Sequence, residues 1–197
     1  MGSSHSEPVP EPPKNEESVN EDFSSTNILE ELYKTKKFSD VTFILKDKEI
    51  KAHKCVLATC SPVFEAMFSR DMQEKRTNQA TIDDIEENIF TEMIHFVYTG
   101  KVENRNVSAA DLLSVAEMYD LKHLKNFSQQ EMMKNISVET AGKYFVLADM
   151  HTSYLLKLKV IEFIGRNSAA VVKTDGWKQL VKSHPHLTAE IFEYLNQ

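Results

Sequence analysis

The 197-residue sequence contains only five glycines and has no glycine-rich phosphate loop. It also has no His, Asp and nucleophile set that a motif brings together, so we expect no enzyme activity and no cofactor. No apolar run approaches the roughly 20 residues that cross a bilayer, and the N-terminus lacks the basic flank and apolar core of a secretion signal. These absences predict a protein of the nucleus, the cytoplasm or both.

Cysteine is also scarce, since Cys55 and Cys60 are the only two and cannot form a disulfide framework. In a helix their offset of five residues separates them by about 140° at ~100° per residue, which prevents a shared metal or an unstrained bridge. His53 precedes Cys55 by two residues, but no second ligand pair follows at the spacing of a zinc site. We therefore predict no metal site and expect both cysteines to be buried packing residues.

Basic residues are not grouped into a block. Of the net charge of −7, residues 1–22 carry −5, and the remaining 175 residues carry −2 without a run of more than two consecutive Lys or Arg. Direct binding to nucleic acid is therefore not expected. The first 22 residues are rich in Pro, Glu and Ser and have few apolar side chains, which predicts a disordered acidic tail.

The sequence that follows the tail mixes helical and strand patterns. "SSTNILEELYK" predicts a short amphipathic helix, and the β-branched segments "VTFIL" and "EIKAH" around "KDK" predict a β-hairpin. "AHKCVLATC" and "SPVFEAMF" are helical, with Ser61 as cap and Pro62 at the first helical position of the second. We expect one face of that second helix to carry Val63, Phe64, Met67 and Phe68.

Only one further strand, "ATI", is predicted, and helices dominate from there on. The helix "IEENIFTEMIHFVYTG" closes at Gly100 and carries a wide apolar stripe formed by Ile85, Ile89, Phe90, Met93, Ile94 and Val97. "AADLLSVAEMYD" and "LKHLKNFSQQEMMKN" predict two more helices, and the chain beyond Asn135 is helical throughout. The predicted fold class is therefore α+β, a small sheet flanked by helices, followed by an all-helical extension.

These motifs resemble a known family. "FSDVTFILKDKEIKAHKCVLATCSPVFEAMF", "IFTEMIHFVYTGKV" and "DLLSVAEMYDLKHLK" resemble the BTB/POZ domain nearly element by element. "LADMHTSYLLKLKVIEFI" and "GWKQLVKSHPHL" are similar to the helical BACK-type extension of the speckle-type POZ protein family, whose N-terminal MATH domain is replaced here by the acidic tail. The expected domains are an acidic tail (1–22), a BTB/POZ domain (23–135) and a BACK-like extension (136–197).

The resemblance implies a homodimeric adaptor that has no chemistry of its own, binds cullin-3 and brings protein substrates to a RING-type ubiquitin ligase. It places the dimer interface on the first helix, at Ile28, Leu29 and Leu32. For cullin-3 it implies a segment of the pattern hydrophobic residue, any residue, Glu, together with the junction of two helices. The cullin-binding residues are then Met72, Glu74, Tyr119 and Leu121.

Other interpretations of the same residues remain open. Met72 lies four residues after Phe68 and could close an apolar helical stripe instead of meeting a partner. The first-helix stripe could pack within its own chain, and Tyr119 and Leu121 could pack at a helix junction. For the whole protein, the alternative to a ligase adaptor is the BTB dimerisation module of a transcriptional co-regulator.

Two motifs of the helical extension are given structural roles. Trp177 is expected to anchor the core of the extension. His184 and His186 flank Pro185, and because two histidines alone make a poor metal site, a cap and turn is the expected role.

Overall fold

The structure, a computed structural model, describes residues 25–46, 48–69 and 77–196, without the side chains of residues 25–27. Ten helices and three strands lie in these ranges. The helices are α1 (Ser25–Thr35), α2 (Lys54–Cys60), α3 (Pro62–Ser69), α4 (Glu87–Thr99), α5 (Ala109–Met118), α6 (Lys122–Lys134), α7 (Ala141–Met150), α8 (Tyr154–Val171), α9 (Asp175–Ser183) and α10 (Pro185–Leu195), and the strands are β1 (Val41–Ile44), β2 (Glu49–Ala52) and β3 (Gln79–Thr81). The predicted hairpin is confirmed, and so is the all-helical second half.

The small sheet has the order β2–β1–β3. β2 pairs antiparallel with β1, and β3 pairs parallel with its other edge, so that Phe43 lies opposite Ile50 on one side and Ala80 on the other. Residues alternate between the two faces of a strand, which explains why these three side chains are buried while Glu49 is exposed. The buried face of the sheet is one wall of a first core.

Aromatic side chains dominate that first core. Phe43 from β1 contacts Phe64 at 5.6 Å and Phe90 at 5.0 Å between ring centroids, and Phe64 stacks on Tyr119 at 4.6 Å. All four are at most 5% exposed. Large rings bury much apolar area, so this cluster joins the sheet to α3, α4 and the end of α5.

At the α2–α3 corner, the predicted cap at Ser61 is confirmed, and the predicted burial of the two cysteines is wrong. Ser61 Oγ accepts a hydrogen bond from the Phe64 amide at 3.1 Å, next to Pro62 at the first helical position. Both Cys55 and Cys60 are exposed, because the only fully buried residue of the short helix α2 is Leu57. The predicted apolar face of α3 included Val63, but the side chain of Val63 is exposed to solvent.

Helix α5 is buried on two sides. Leu112, Val115 and Ala116 belong to the first core, whereas Ala110 and Leu113 belong to a second core made by the helical extension. These two sets lie on different faces because each residue turns the helix by about 100°. Helix α6 is divided in the same way, with Leu124 in the first core and Met132 in the second, so the two halves of the chain share two helices.

The second core lies among helices α7 to α10 and also contains Met132 of α6 and the two α5 residues named above. Gly142 of α7 comes so close to α9 that a Cβ built on it would lie 2.6 Å from the carbonyl carbon of Gly176. Trp177 is partly buried against this core, as expected. Helix α8 is interrupted at Asn167, whose φ of −123° and ψ of 20° are not helical.

The His184–Pro185–His186 motif forms the corner between α9 and α10, as predicted. The His184 amide donates to the Leu180 carbonyl at 2.8 Å, ending α9, and the His184 carbonyl accepts from the Leu187 amide at 3.0 Å. Pro185 begins α10. Over the described ranges, no helix combines the length and apolar character that crossing a membrane requires.

Candidate functional site

The three residues predicted to form a dimer interface lie on α1 with unequal exposure. Ile28 is 45% exposed, whereas Leu29 and Leu32 are partly buried and pack against the first core. Around the helix axis, Leu32 lies about 40° and Leu29 about 100° from Ile28. One edge of this apolar stripe therefore contacts its own chain, and the other edge faces solvent. We call these three residues the α1 face.

Helix α1 is attached to α4 and to the segment that follows it. Glu30 Oε1 forms an ion pair with Lys101 Nζ at 2.7 Å, and the hydrogen bond and charge of that lysine lower the pKa of the Glu30 carboxyl. Tyr33 packs edge-on against His95 with 5.1 Å between ring centroids. The ion pair is exposed and contributes little, so the aromatic packing and the two leucines fix the helix.

Tyr119 and Leu121, the second predicted pair, form the corner between α5 and α6. The Leu121 amide donates to the Ala116 carbonyl at 2.7 Å, and the Asp120 amide donates to the Glu117 carbonyl at 3.1 Å. With Asp120 at φ 48°, this is the Schellman arrangement that ends a helix on a left-handed residue. The cap directs the chain from α5 straight into α6.

Both side chains of that pair are buried. Tyr119 is 5% and Leu121 4% exposed, and burial raises the pKa of the Tyr119 phenol to about 12, so the phenol stays protonated at neutral pH. The Tyr119 carbonyl accepts a hydrogen bond from Ser61 Oγ at 2.5 Å, which connects this corner to the start of α3. Their neighbours Met118 and Asp120 are exposed and form the outer surface of the corner. A contact of Tyr119 or Leu121 with cullin stays a prediction.

The structure brings the two predicted surfaces together at one groove. An open cavity of about 530 Å³ is lined by Leu29 of the α1 face, by Leu121 of the α5–α6 corner and by Cys60 at the end of α2. The C-terminal turn of α4, from Phe96 to Gly100, lines the same cavity. Sequence spacing could not predict this meeting, because it depends on how α1 and α6 each pack against α4.

Met72 and Glu74 lie outside the described residues. The described chain stops at Ser69 before them and resumes at Thr77. Phe68 on one side and Ala80 on the other are both buried in the first core. The assignment of Met72 and Glu74 to a cullin contact therefore stays a prediction.

Sequence reasoning missed a buried polar network beside α1. His53 Nδ1 lies 2.8 Å from the Tyr98 hydroxyl, and His53 Nε2 lies 2.7 Å from the Lys37 carbonyl. The same hydroxyl accepts from the His53 amide at 2.8 Å, so its own proton is free to donate to Nδ1 and Nε2–H donates to Lys37. The signal in the sequence is the histidine of "AHK", for which only a role as a zinc ligand was weighed.

No metal centre is found over the parts of the chain that the structure describes, where no three His, Cys, Asp or Glu side chains converge. His184 and His186 lie 6.1 Å apart between ring centroids at their corner. The candidate site consists of the α1 face, the α5–α6 corner and the groove that both of them line.

Comparisons with known proteins agree with this description. Residues 29–136 match the family model described as "BTB/POZ domain", and residues 140–192 match the one described as "BPM/SPOP, BACK domain". Among solved structures, the BTB domain of zebrafish PATZ1 is similar at 23% identity and a TM-score of 0.48, covering 56% of this chain and 89% of that chain. The predicted domain bounds, 1–22, 23–135 and 136–197, stay predictions.

Proposed function

Since the chain belongs to the BTB/POZ family and continues into a BACK domain of the BPM/SPOP type, we propose that it is a homodimeric adaptor that binds cullin-3 and brings protein substrates to a RING-type ubiquitin ligase. The observation that carries the proposal is the presence of both domains in one chain, the combination found in the cullin-3 adaptor family in general. Domains of these types are generally non-enzymatic, and we propose that this chain acts by binding alone.

Two features of the described residues support a binding role. The α1 face leaves Ile28 exposed to solvent, as a surface for a second copy requires. The α5–α6 corner is held by a helix cap and by Ser61, so it offers a rigid surface whose exposed members are Met118 and Asp120. In the proposed complex, Tyr119 and Leu121 keep this corner in place beside the cullin segment.

For cullin-3 itself, Met72 supplies an adaptable apolar anchor and Glu74 a charge in the proposed complex. Substrates bind through a region not yet identified. We propose that the complex acts in the nucleus, the cytoplasm or both.

The test measures the affinity of the chain for the N-terminal region of cullin-3 by calorimetry. The double variant Met72→Ala, Glu74→Ala should bind at least about 30-fold more weakly, because loss of a contact hot spot costs about 2 kcal/mol or more. Its melting temperature should stay unchanged. The control is Glu49→Ala, Lys51→Ala, which removes two exposed side chains of the strand β2 and should alter neither quantity.

Two outcomes would contradict the proposal in different ways. A chain that does not bind cullin-3 at all refutes the adaptor function and favours the co-regulator alternative. A double variant that melts at a lower temperature but binds normally when folded shows that Met72 packs within its own chain.

A further inference from the structure

The turn between α1 and β1 presents one aromatic side chain almost wholly to solvent. Phe38 is 94% exposed, the highest value among the large apolar side chains that the structure describes. Its φ of +58° lies in the left-handed region, which a bulky residue adopts only at a cost in free energy. Packing within the chain does not explain why a phenylalanine occupies this position, because its side chain is almost fully exposed.

The turn is held rigidly despite that cost. The Lys36 amide donates to the Leu32 carbonyl at 3.0 Å, which ends α1, and the Ser39 amide donates to the Lys36 carbonyl at 3.2 Å. On the buried side of the turn, His53 Nε2 lies 2.7 Å from the Lys37 carbonyl oxygen. Bonds on both sides of Phe38 therefore fix the backbone that carries it.

A further contact connects the turn to α1. The Lys36 ammonium lies 3.6 Å from the centre of the Tyr33 ring, which ties the turn back onto the helix. Ile28, the exposed member of the α1 face, lies ten residues before Phe38. The helix and its turn thus carry two exposed apolar side chains, Ile28 about 10 Å from the end of α1, at ~1.5 Å per helical residue, and Phe38 in the turn just beyond that end.

We propose that Phe38 is an anchor of the homodimer, docking on α1 of a second copy of the chain. A rigid aromatic loses little conformational entropy on burial, which is why such side chains dominate contact energies. In a two-fold interface, both copies contribute the same surface. Phe38 of each copy then packs near Ile28 of the other copy. This inference rests on the proposed function, since it names a residue of the proposed dimer.

The experiment compares dimer dissociation constants by sedimentation equilibrium for the full chain and Phe38→Asn. Asparagine tolerates the left-handed conformation, so this change relieves backbone strain while it removes the ring. We expect the dimer to weaken at least about 100-fold, since two copies of the anchor are lost at about tenfold each. Hydrogen exchange in β1 and β2 should be unchanged, which shows that the fold is kept.

Thr152→Asn is the matched control. Thr152 is exposed and has φ +51° in the α7–α8 corner, so the same replacement is made in the same backbone conformation without loss of an aromatic side chain. Its dissociation constant should equal that of the unaltered chain. A weaker dimer in this control as well would overturn the inference, because the effect would then come from the backbone change.

The remaining outcomes separate this inference from the proposed function. If the unaltered chain dimerises and Phe38→Asn dimerises equally well, Phe38 is not an anchor. If the variant keeps its dimer but loses affinity for the cullin-3 N-terminal region, the ring contacts cullin and the assignment to a second copy is wrong. If the unaltered chain is monomeric at a protein concentration about 100-fold above a typical micromolar dissociation constant, the proposal of a dimer is itself wrong.

Discussion

Replacing Gly142 with alanine tests the close approach of α7 and α9. In a helix, alanine is favoured over glycine by up to about 1 kcal/mol, so propensity alone predicts a more stable protein. The structure predicts the opposite, because the added Cβ would lie 2.6 Å from C and 2.7 Å from O of Gly176 and 2.9 Å from the Trp177 amide nitrogen. These are backbone atoms of a neighbouring helix, so relief requires α7 and α9 to separate.

The net effect follows from those two opposing contributions. Overpacking in a well-packed core costs about 1–3 kcal/mol, and the backbone contacts place this change in the upper part of that range, at about 2–3 kcal/mol. The propensity gain of about 1 kcal/mol offsets part of that cost and leaves a loss of about 1–2 kcal/mol. For a chain of this size, that loss lowers the melting temperature by about 2–8 °C. Circular dichroism measures the transition, and hydrogen exchange should rise in α7 and α9 while β1 and β2 stay protected.

Gly165→Ala is the matched control. Its Cβ would also meet a neighbour closely, at 2.5 Å, but that neighbour is Cδ2 of Leu195. The Leu195 side chain is 44% exposed and can rotate away, so the melting temperature should stay equal or rise. If Gly142→Ala melts as high as the unaltered chain, the two helices do not pack as closely as the structure places them, and the reasoning is refuted.

Two further predictions concern the first core and the turn after α1. Ser61→Ala should lower the free energy of unfolding by about 1–3 kcal/mol in urea titrations, because the Tyr119 carbonyl and the Phe64 amide lose a buried partner. Ser114→Ala should change little, because Ser114 is an exposed residue whose hydroxyl donates only to the Ala110 carbonyl of its own helix, and an equal loss in both would contradict the bridging role. Burial lowers the pKa of Lys36 to about 8, so between about pH 8 and the unfolded value near 10.5 the unfolded state holds the extra proton and stability should rise with pH relative to Lys36→Gln. A stability difference between these two proteins that stays flat from pH 7.5 to 9.5 would contradict that assignment.

Local patterns predicted most of the elements, because their causes lie within a few residues. Pro62 after Ser61 gave the start of α3, and Gly100, at φ 68°, gave the end of α4. The strand β3 was found as well, one residue earlier than expected, but its parallel pairing with β1 joins residues some forty positions apart and has no local signal. The fold class, α+β with a helical extension, therefore followed from the sequence.

Burial was less predictable, because neighbours distant in sequence decide it. Both cysteines of α2 face solvent, since the tertiary packing of that short helix buries Leu57 and leaves the thiols outside. Tyr119 and Leu121 were expected at a partner surface and are buried. The exposure of Phe38 could not be predicted from the sequence. It follows from a left-handed backbone conformation, which glycine would indicate and phenylalanine does not.

The sharing of α5 between the two cores has a consequence for dividing this protein into pieces. The match to the BTB/POZ family ends at residue 136, so a fragment that ends there keeps α5 but loses the helices that cover Ala110 and Leu113. These side chains are 2% and 0% exposed in the whole chain. In the fragment they would form an exposed apolar surface that promotes association. Unfolding of the extension would likewise uncover one side of the first core, so we expect the two parts to stabilise each other across the boundary between the two family matches.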